Sequence, residues 1–183
     1  LLEQKTDVVF QVSPSGELPA REAAILINHT AGQSKDSFRL ASRLTSDDLC
    51  VLVQGEAGYT LQAACLCAPT FWSLETHFGK SLGGLHHTVP GGDPELSGRI
   101  TRIFDGLRPD LILERFNWTV QLGLERHTLS QQPMKDELAR LDPIEAAKDL
   151  HLRVERQTIR KLPTTGAVLF TIRICVDPLS AAV

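Results

Sequence analysis

A strand near the end of a chain of this size is expected to be a mostly apolar core element. Arg153-Val154-Glu155-Arg156-Gln157-Thr158-Ile159-Arg160-Lys161-Leu162-Pro163 is instead heavily charged, and it runs directly into Gly166-Ala167-Val168-Leu169-Phe170-Thr171-Ile172-Arg173, a strongly β-prone run. Side chains on a strand alternate faces, so Arg153, Glu155, Gln157 and Ile159 share one side, and Leu152, Val154, Arg156 and Thr158 the other. Such a strand is polar on at least one side. The pattern alone leaves two readings open: a sheet face bathed in water, with cross-strand ion pairs of little energetic consequence, and a polar wall that grips a ligand. If Glu155 and Gln157 point into a pocket, alternation sends Arg156 away from it.

Other segments supply the rest of a sheet. Leu49 to Gln54 and Tyr59 to Cys67, joined by Gly55-Glu56-Ala57-Gly58, read as a hairpin. Leu111 to Leu122 alternates: Ile112, Phe116, Trp118, Val120 and Leu122 face one way, and Arg115, Asn117, Thr119 and Gln121 the other. This is a second strand with a polar side. Helices are expected over Glu17 to His29, with Ala23, Ala24, Ile25 and Ile27, and over Asp36 to Arg43 behind an Asp36 cap. A third begins at Asp93-Pro94-Glu95 and carries Leu96, Ile100, Ile103, Phe104 and Leu107 at helical spacing before Gly106 and Arg108-Pro109 end it. Gln132 to Asp149 is helical in pieces, interrupted by Pro143. Five strands in this order predict an α+β domain with one mostly antiparallel sheet. At 183 residues and 20.1 kDa, residues 1–183 are expected to form a single domain.

Composition narrows the function. With 42% hydrophobic residues and a formal net charge of -3 the chain has an ordinary globular make-up, and no basic run points to nucleic acid or an anionic membrane as its partner. Its longest apolar stretches, such as Ala63-Ala64-Cys65-Leu66-Cys67-Ala68, fall far short of the roughly 18 residues that cross a bilayer. Cys50, Cys65, Cys67 and Cys175 are irregularly spaced in apolar runs, as reduced core thiols are, so a cytoplasmic location is expected. The chain starts at Leu1 without an initiator Met, which leaves open a start inside a longer gene product and a lost targeting peptide. The glycosylation sequons Asn28-His29-Thr30 and Asn117-Trp118-Thr119 carry no weight, the second lying within a strand.

Three of the six histidines, His77, His86 and His87, fall between the hairpin and the third helix. A neutral imidazole serves as a haem ligand, a zinc ligand or a proton shuttle. A His-His pair in a loop is by itself more often structural, and no second cluster of His, Cys, Asp or Glu completes a zinc set. The sequence has no G-x-G-x-x-G fingerprint, no Walker A motif, no G-x-S-x-G elbow and no cysteine spacing for an iron–sulfur cluster. Redox chemistry on this chain would have to borrow its electrons.

Several motifs, taken in order, carry a family resemblance. They are Leu44-Thr45-Ser46-Asp47-Asp48-Leu49-Cys50-Val51-Leu52, Cys67-Ala68-Pro69-Thr70-Phe71-Trp72, Gly79, Leu85-His86-His87-Thr88-Val89-Pro90, Arg115-Phe116-Asn117-Trp118, the Arg153 to Pro163 run, and Phe170-Thr171-Ile172-Arg173. Across roughly residues 42–179 the chain resembles the haem-dependent oxidative N-demethylase family, formerly a domain of unknown function, in its α-subunit-like form. The resemblance implies a PAS-like domain, a five-stranded antiparallel sheet with flanking helices that holds haem b. It also implies an enzyme, a monooxygenase-type oxidoreductase converting a small secondary amine such as dimethylamine, with O2, to a primary amine and formaldehyde. Electrons would come from NADPH through partner subunits associated with FMN, a [2Fe–2S] cluster and tetrahydrofolate.

Carried onto this chain, the family's His-x-x-Val-Pro histidine falls on His86, the expected axial iron ligand, with His87 as the fallback. Arg115, Arg153 and Arg156 become candidates to pair with haem propionates, since a guanidinium meets a carboxylate through two charge-assisted hydrogen bonds. Glu155, Asn117 and Trp118 are expected to line the catalytic side, the carboxylate holding an alkylammonium and the aromatic face adding cation–π attraction. Two departures lie beside the expected haem site. His77 stands where the family's Trp-x-x-x-x-Lys-x-Gly segment has Lys, which makes it a second candidate ligand, and Thr88 replaces the Pro before Val-Pro. The chain is also shorter than a full family member is expected to be. A haem-binding PAS-like sensor is the alternative to the enzyme, and a structural subunit without haem is the third reading.

Overall fold

The computed structural model describes residues 37–181 apart from residue 57 and residues 87–93. The helix expected at Glu17 to His29 and the fallback ligand His87 lie outside the described residues. The elements run α1 (Ser37–Ser42), β1 (Asp48–Gly55), β2 (Gly58–Cys65), α2 (Leu74–His77), α3 (Leu82–His86), α4 (Pro94–Asp105), β3 (Ile112–Leu122), α5 (Gln132–Leu138), α6 (Pro143–Lys148), β4 (Leu150–Lys161) and β5 (Val168–Pro178), ending in a 3-10 turn at Leu179–Ala181. All neighbouring strands are antiparallel, in the spatial order β2-β1-β5-β4-β3. This is the α+β, PAS-like sheet with flanking helices that the sequence predicts.

Two local findings refine that expectation. The segment between hairpin and third helix holds two short helices, α2 and α3, too brief to leave a periodic trace in the sequence. Pro143 opens α6 rather than merely interrupting a helix. Its missing amide falls where no intrahelical partner exists, and the Asp142 side chain accepts from Ile144 N at 2.9 Å.

Residues directly opposite each other in an antiparallel pair project to the same face, so the register fixes two faces. On the inner face one row runs Asp48, Ile172, Gln157, Arg115, and the next runs Ile174, Glu155, Asn117. On the outer face the matching rows are Arg173, Arg156, Phe116 and Cys175, Val154, Trp118. Helices α3 and α4 cover the β1/β2/β5 part of the inner face. There Cys50, Leu52, Tyr59, Leu61 and Val168 pack against Leu82, Phe104 and Leu107, and Tyr59 meets Phe104 edge-on at 5.1 Å. The outer face of the same strands is closed by α1, whose Phe38 packs on the cluster of Val51, Leu162 and Ala167.

Candidate functional site

Along β4 burial alternates strictly from His151 to Gln157: His151, Arg153, Glu155 and Gln157 are buried, and the residues between them are more exposed. The charged strand therefore turns its polar side inward, which decides between the two readings left open by the sequence. Buried polar groups persist only when hydrogen-bonded, and the partners account for nearly every one here.

Arg153 is fully buried. Its Nη2 donates to Ala68 O at 2.6 Å, and its Nη1 donates to Arg126 O at 3.1 Å and Gln121 Oε1 at 3.4 Å. Its Nε makes no hydrogen bond and lies 3.8 Å from Glu155 Oε1. Glu155 accepts from Thr70 Oγ1 at 3.0 Å, from Gln157 Nε2 at 2.8 Å and from Asn117 Nδ2 at 3.4 Å. Gln157 in turn accepts from Arg115 Nε at 2.6 Å, so a chain of contacts runs from the exposed edge of β3 to the half-buried turn at Thr70.

That turn, residues 67–71, is fastened on all sides. Asp48 Oδ1 accepts from Cys67 N at 2.5 Å and Ala68 N at 2.8 Å, while Arg153 takes the Ala68 carbonyl. Thr128 accepts from Phe71 N at 2.7 Å and donates to Pro69 O at 3.0 Å through its backbone. Phe71 has φ 58°, a left-handed conformation rare outside glycine, and these bonds hold it there. Gln121 pins the neighbouring loop through Gly123 O and Glu125 O at 2.9 and 2.8 Å. The fixed turn leads into α2 and α3, the helices that carry His77 and His86.

Two carboxylates, Asp48 and Glu155, lie near the buried Arg153 guanidinium, with Arg126 as a second cation close enough to act on it. Burial is the main cause that raises the Asp48 pKa above the usual carboxylate value; the Ala68 and Cys67 amides and Arg153 oppose it, and Glu155 adds to it. Asp48 Oδ2 is buried without a partner. Burial likewise lowers the Arg153 pKa, against the attraction of Glu155 and Asp48.

The structure brings Arg115, Asn117, Arg153 and Glu155 to one face and separates the other candidates from them. Asn117 and Trp118 are neighbours on a regular strand, so Trp118 points to the outer face and cannot share a substrate with Glu155. Arg156 is on the outer face for the same reason, where it pairs with Glu114 at 2.6 Å. Arg153 shares the inner face, but its Nη groups are committed to backbone carbonyls and Gln121. His77 is buried, with Nδ1 2.7 Å from Thr76 Oγ1 and 2.8 Å from Ser73 O and its ring edge-on to Trp72 at 5.4 Å; these contacts brace the start of α2. His86 is the last residue of α3, in the helical layer over the inner face, next to Leu85, which packs on the apolar core.

Sequence reasoning missed Asp48, Thr70 and Gln121 as parts of this network. Asp48 and Thr70 stand inside motifs that carry the family resemblance, and a carboxylate flush against Leu49-Cys50-Val51-Leu52 is the signal that could have marked one of them.

A family model described as haem-dependent oxidative N-demethylase, alpha subunit-like, matches residues 2–182. The description names haem dependence and oxidative N-demethylation, and an alpha subunit implies others. With nearly the whole chain matched, and with the Arg-Val-Glu-Arg-Gln run forming the polar wall of a five-stranded antiparallel sheet, the chain belongs to the haem-dependent oxidative N-demethylase, alpha subunit-like family.

Proposed function

We propose that this chain is the haem-carrying subunit of an enzyme that oxidises a small secondary amine of the dimethylamine type, with O2, two electrons and two protons, to a primary amine, formaldehyde and water. Electrons come from NADPH through partner subunits bearing FMN and a [2Fe–2S] cluster, and tetrahydrofolate is associated with those partners. The observation that carries this reading is the inner face of β3 and β4. There Glu155 is held by Thr70, Asn117 and Gln157, with Arg115 at the exposed edge, on the side of the sheet over which α3 carries His86.

The residues present fit a haem. Trp72, Leu85, Ile159 and Phe170 are partly buried apolar groups on the margin of the inner-face core, suited to the macrocycle. The Arg115 guanidinium is tethered through Nε only among its described hydrogen bonds and is exposed, which leaves its Nη groups for a propionate. His86 is the imidazole ligand, with His87 as the fallback. Haem supplies the activation of O2 when bound. The protein's own part is to hold the amine: the Glu155 carboxylate attracts and orients the alkylammonium. Thr70, Asn117 and Gln157 donate to that carboxylate and fix its orientation before substrate arrives. All four cysteines are free thiols, which fits a reducing, cytoplasmic setting. No helix among the described residues is long and apolar enough to cross a membrane.

Titration with hemin tests the site. A Soret shift on binding that is lost or moved in His86→Ala supports the ligand assignment; no Soret shift in the unmodified chain overturns it. The loaded protein, given a chemical reductant, O2 and dimethylamine, is expected to release formaldehyde. Haem bound without turnover, and without any spectral response to secondary amines, would instead identify a sensor.

A further inference from the structure

The hydrogen-bonding polarity of the inner wall is fixed from both ends. A guanidinium only donates and a carboxylate only accepts, so the side-chain amides that touch Arg115 and Glu155 have no choice of orientation. Gln157 turns Oε1 to Arg115 Nε and Nε2 to Glu155 Oε2. Asn117, on β3, presents Nδ2 to the same Glu155 oxygen at 3.4 Å. Its Oδ1 is thereby turned away from Glu155, and among the described residues it accepts no hydrogen bond. Asn117 is exposed on the inner face, so this oxygen is open to a ligand. Thr70, Gln157 and Asn117 fill three of the roughly four acceptor positions of the Glu155 carboxylate, which leaves room for one more donor.

We propose that Asn117 sets the choice of amine: its Oδ1 accepts one N–H of the bound ammonium while Glu155 accepts the other. The inference rests on the reading of Glu155 as the carboxylate that holds the amine, and goes beyond it by assigning a residue that counts N–H groups. Glu155 and Asn117 stand directly opposite each other in the β4/β3 register, a pairing that sets Cβ atoms about 5 Å apart, so a single nitrogen can lie between their tips. A secondary ammonium carries two N–H groups, a tertiary ammonium one and a quaternary ammonium none. Two acceptors therefore match a dialkylammonium, whose tetrahedral nitrogen then turns both alkyl groups away from the wall, to the open side of the inner face. A trialkylammonium satisfies one acceptor and sets an alkyl carbon against the other. Sites built to hydrogen-bond a substrate N–H reject an analogue that lacks it, because a polar group of the site is left unpaired. At Asn117 the exposed position lets water soften that loss.

Calorimetric titration of the full chain, with and without hemin, tests the assignment without recourse to turnover. The probes are dimethylammonium and trimethylammonium chloride. The unmodified chain should bind dimethylammonium about tenfold tighter than trimethylammonium, the worth of one charge-assisted hydrogen bond at an exposed site. Asn117→Leu, close in size and at an exposed strand position, should bring the two affinities together, chiefly by weakening dimethylammonium. Asn117→Asp keeps an acceptor at the position and should keep the preference. A residue that merely braces Glu155 would behave differently, since its loss weakens both amines alike and leaves their ratio unchanged. Equal affinities in the unmodified chain, or a preference that survives Asn117→Leu, overturn the proposal while leaving Glu155 as the amine's carboxylate. A chain that binds neither amine overturns that reading of Glu155 as well.

Discussion

On β1, β2 and β5 the inner face is filled by Leu52, Tyr59, Leu61 and Val168, and helices α3 and α4 close over it. On β4 and β3 the same face carries Arg153, Glu155, Gln157, Asn117 and Arg115 and ends in exposed side chains. The first half is a core in the ordinary sense: shape and apolar area hold it together. The second half is held by directed contacts, and it grades from a fully buried guanidinium at Arg153 to an exposed one at Arg115. The gradient separates two tasks within one polar wall. Its deep end fastens the turn at 67–71 and so fixes where the helical layer begins, while its shallow end presents polar groups to whatever enters from the open side.

The deep end should therefore behave as structure, and Arg153→Met tests that most severely. The substitution keeps an unbranched apolar stem but strands the carbonyls of Ala68 and Arg126 and leaves Glu155 and Asp48 without their buried cation. Removing one partner of a buried ion pair costs about 3–5 kcal/mol, so chemical denaturation should register a loss of that size. A loss below about 0.5 kcal/mol, within the range of ordinary surface substitutions, would mean that the turn is held without Arg153 and that the division of the wall is wrong.

The same division explains how much the sequence reveals. Strand alternation placed Glu155 and Gln157 together and Arg156 apart, because a period of two needs nothing beyond the chain itself. The sheet class followed from the hairpin glycines and the spacing of apolar runs. What alternation along one strand cannot reveal is which side is covered, since that depends on helices arriving from elsewhere in the chain. Nor does it show that Arg153 spends its donors on Ala68 and Arg126, 85 and 27 residues away. Reading Trp118 alongside Asn117 overlooked the alternation that separated Arg156 from Glu155. The short helices α2 and α3 were hidden for another reason: four or five residues are too few to show a 3.6-residue period.

Asp48, next to Arg153 in the deep end, gives a smaller effect with a definite pH sign. Its folded-state pKa is raised, chiefly by burial, so the folded protein binds the Asp48 proton more tightly than the unfolded chain does. The stability this contributes is complete below the ordinary carboxylate value of 3.8 and is lost as pH rises through the raised folded value. Asp48→Asn keeps an oxygen to accept from Cys67 N and Ala68 N but carries no charge to bury. The difference in Tm, variant minus wild type, should thus climb as pH rises from below 3.8 and level off above the raised value. A difference that falls over the same window would show that attraction to Arg153 outweighs burial.

Arg115, at the shallow end, should affect stability least and ligand binding most. It is exposed, and its one described hydrogen bond, to Gln157 Oε1, lies where water can replace it, so Arg115→Ala should change stability by no more than about 0.5 kcal/mol. If its free Nη groups pair with a propionate, the lost charge-assisted bond is worth about 1.5–3 kcal/mol, which weakens hemin binding by roughly tenfold to a hundredfold in the Soret titration. Arg115→Lys keeps the charge but not the planar fork, and should recover part of the affinity. An Arg115→Ala protein that binds hemin as tightly as the wild type would move the propionates away from the β3 edge. Because Arg153 is buried and committed and Arg156 lies on the outer face, no other arginine of the original three could take the role, and the cofactor would have to be anchored from the helical layer instead.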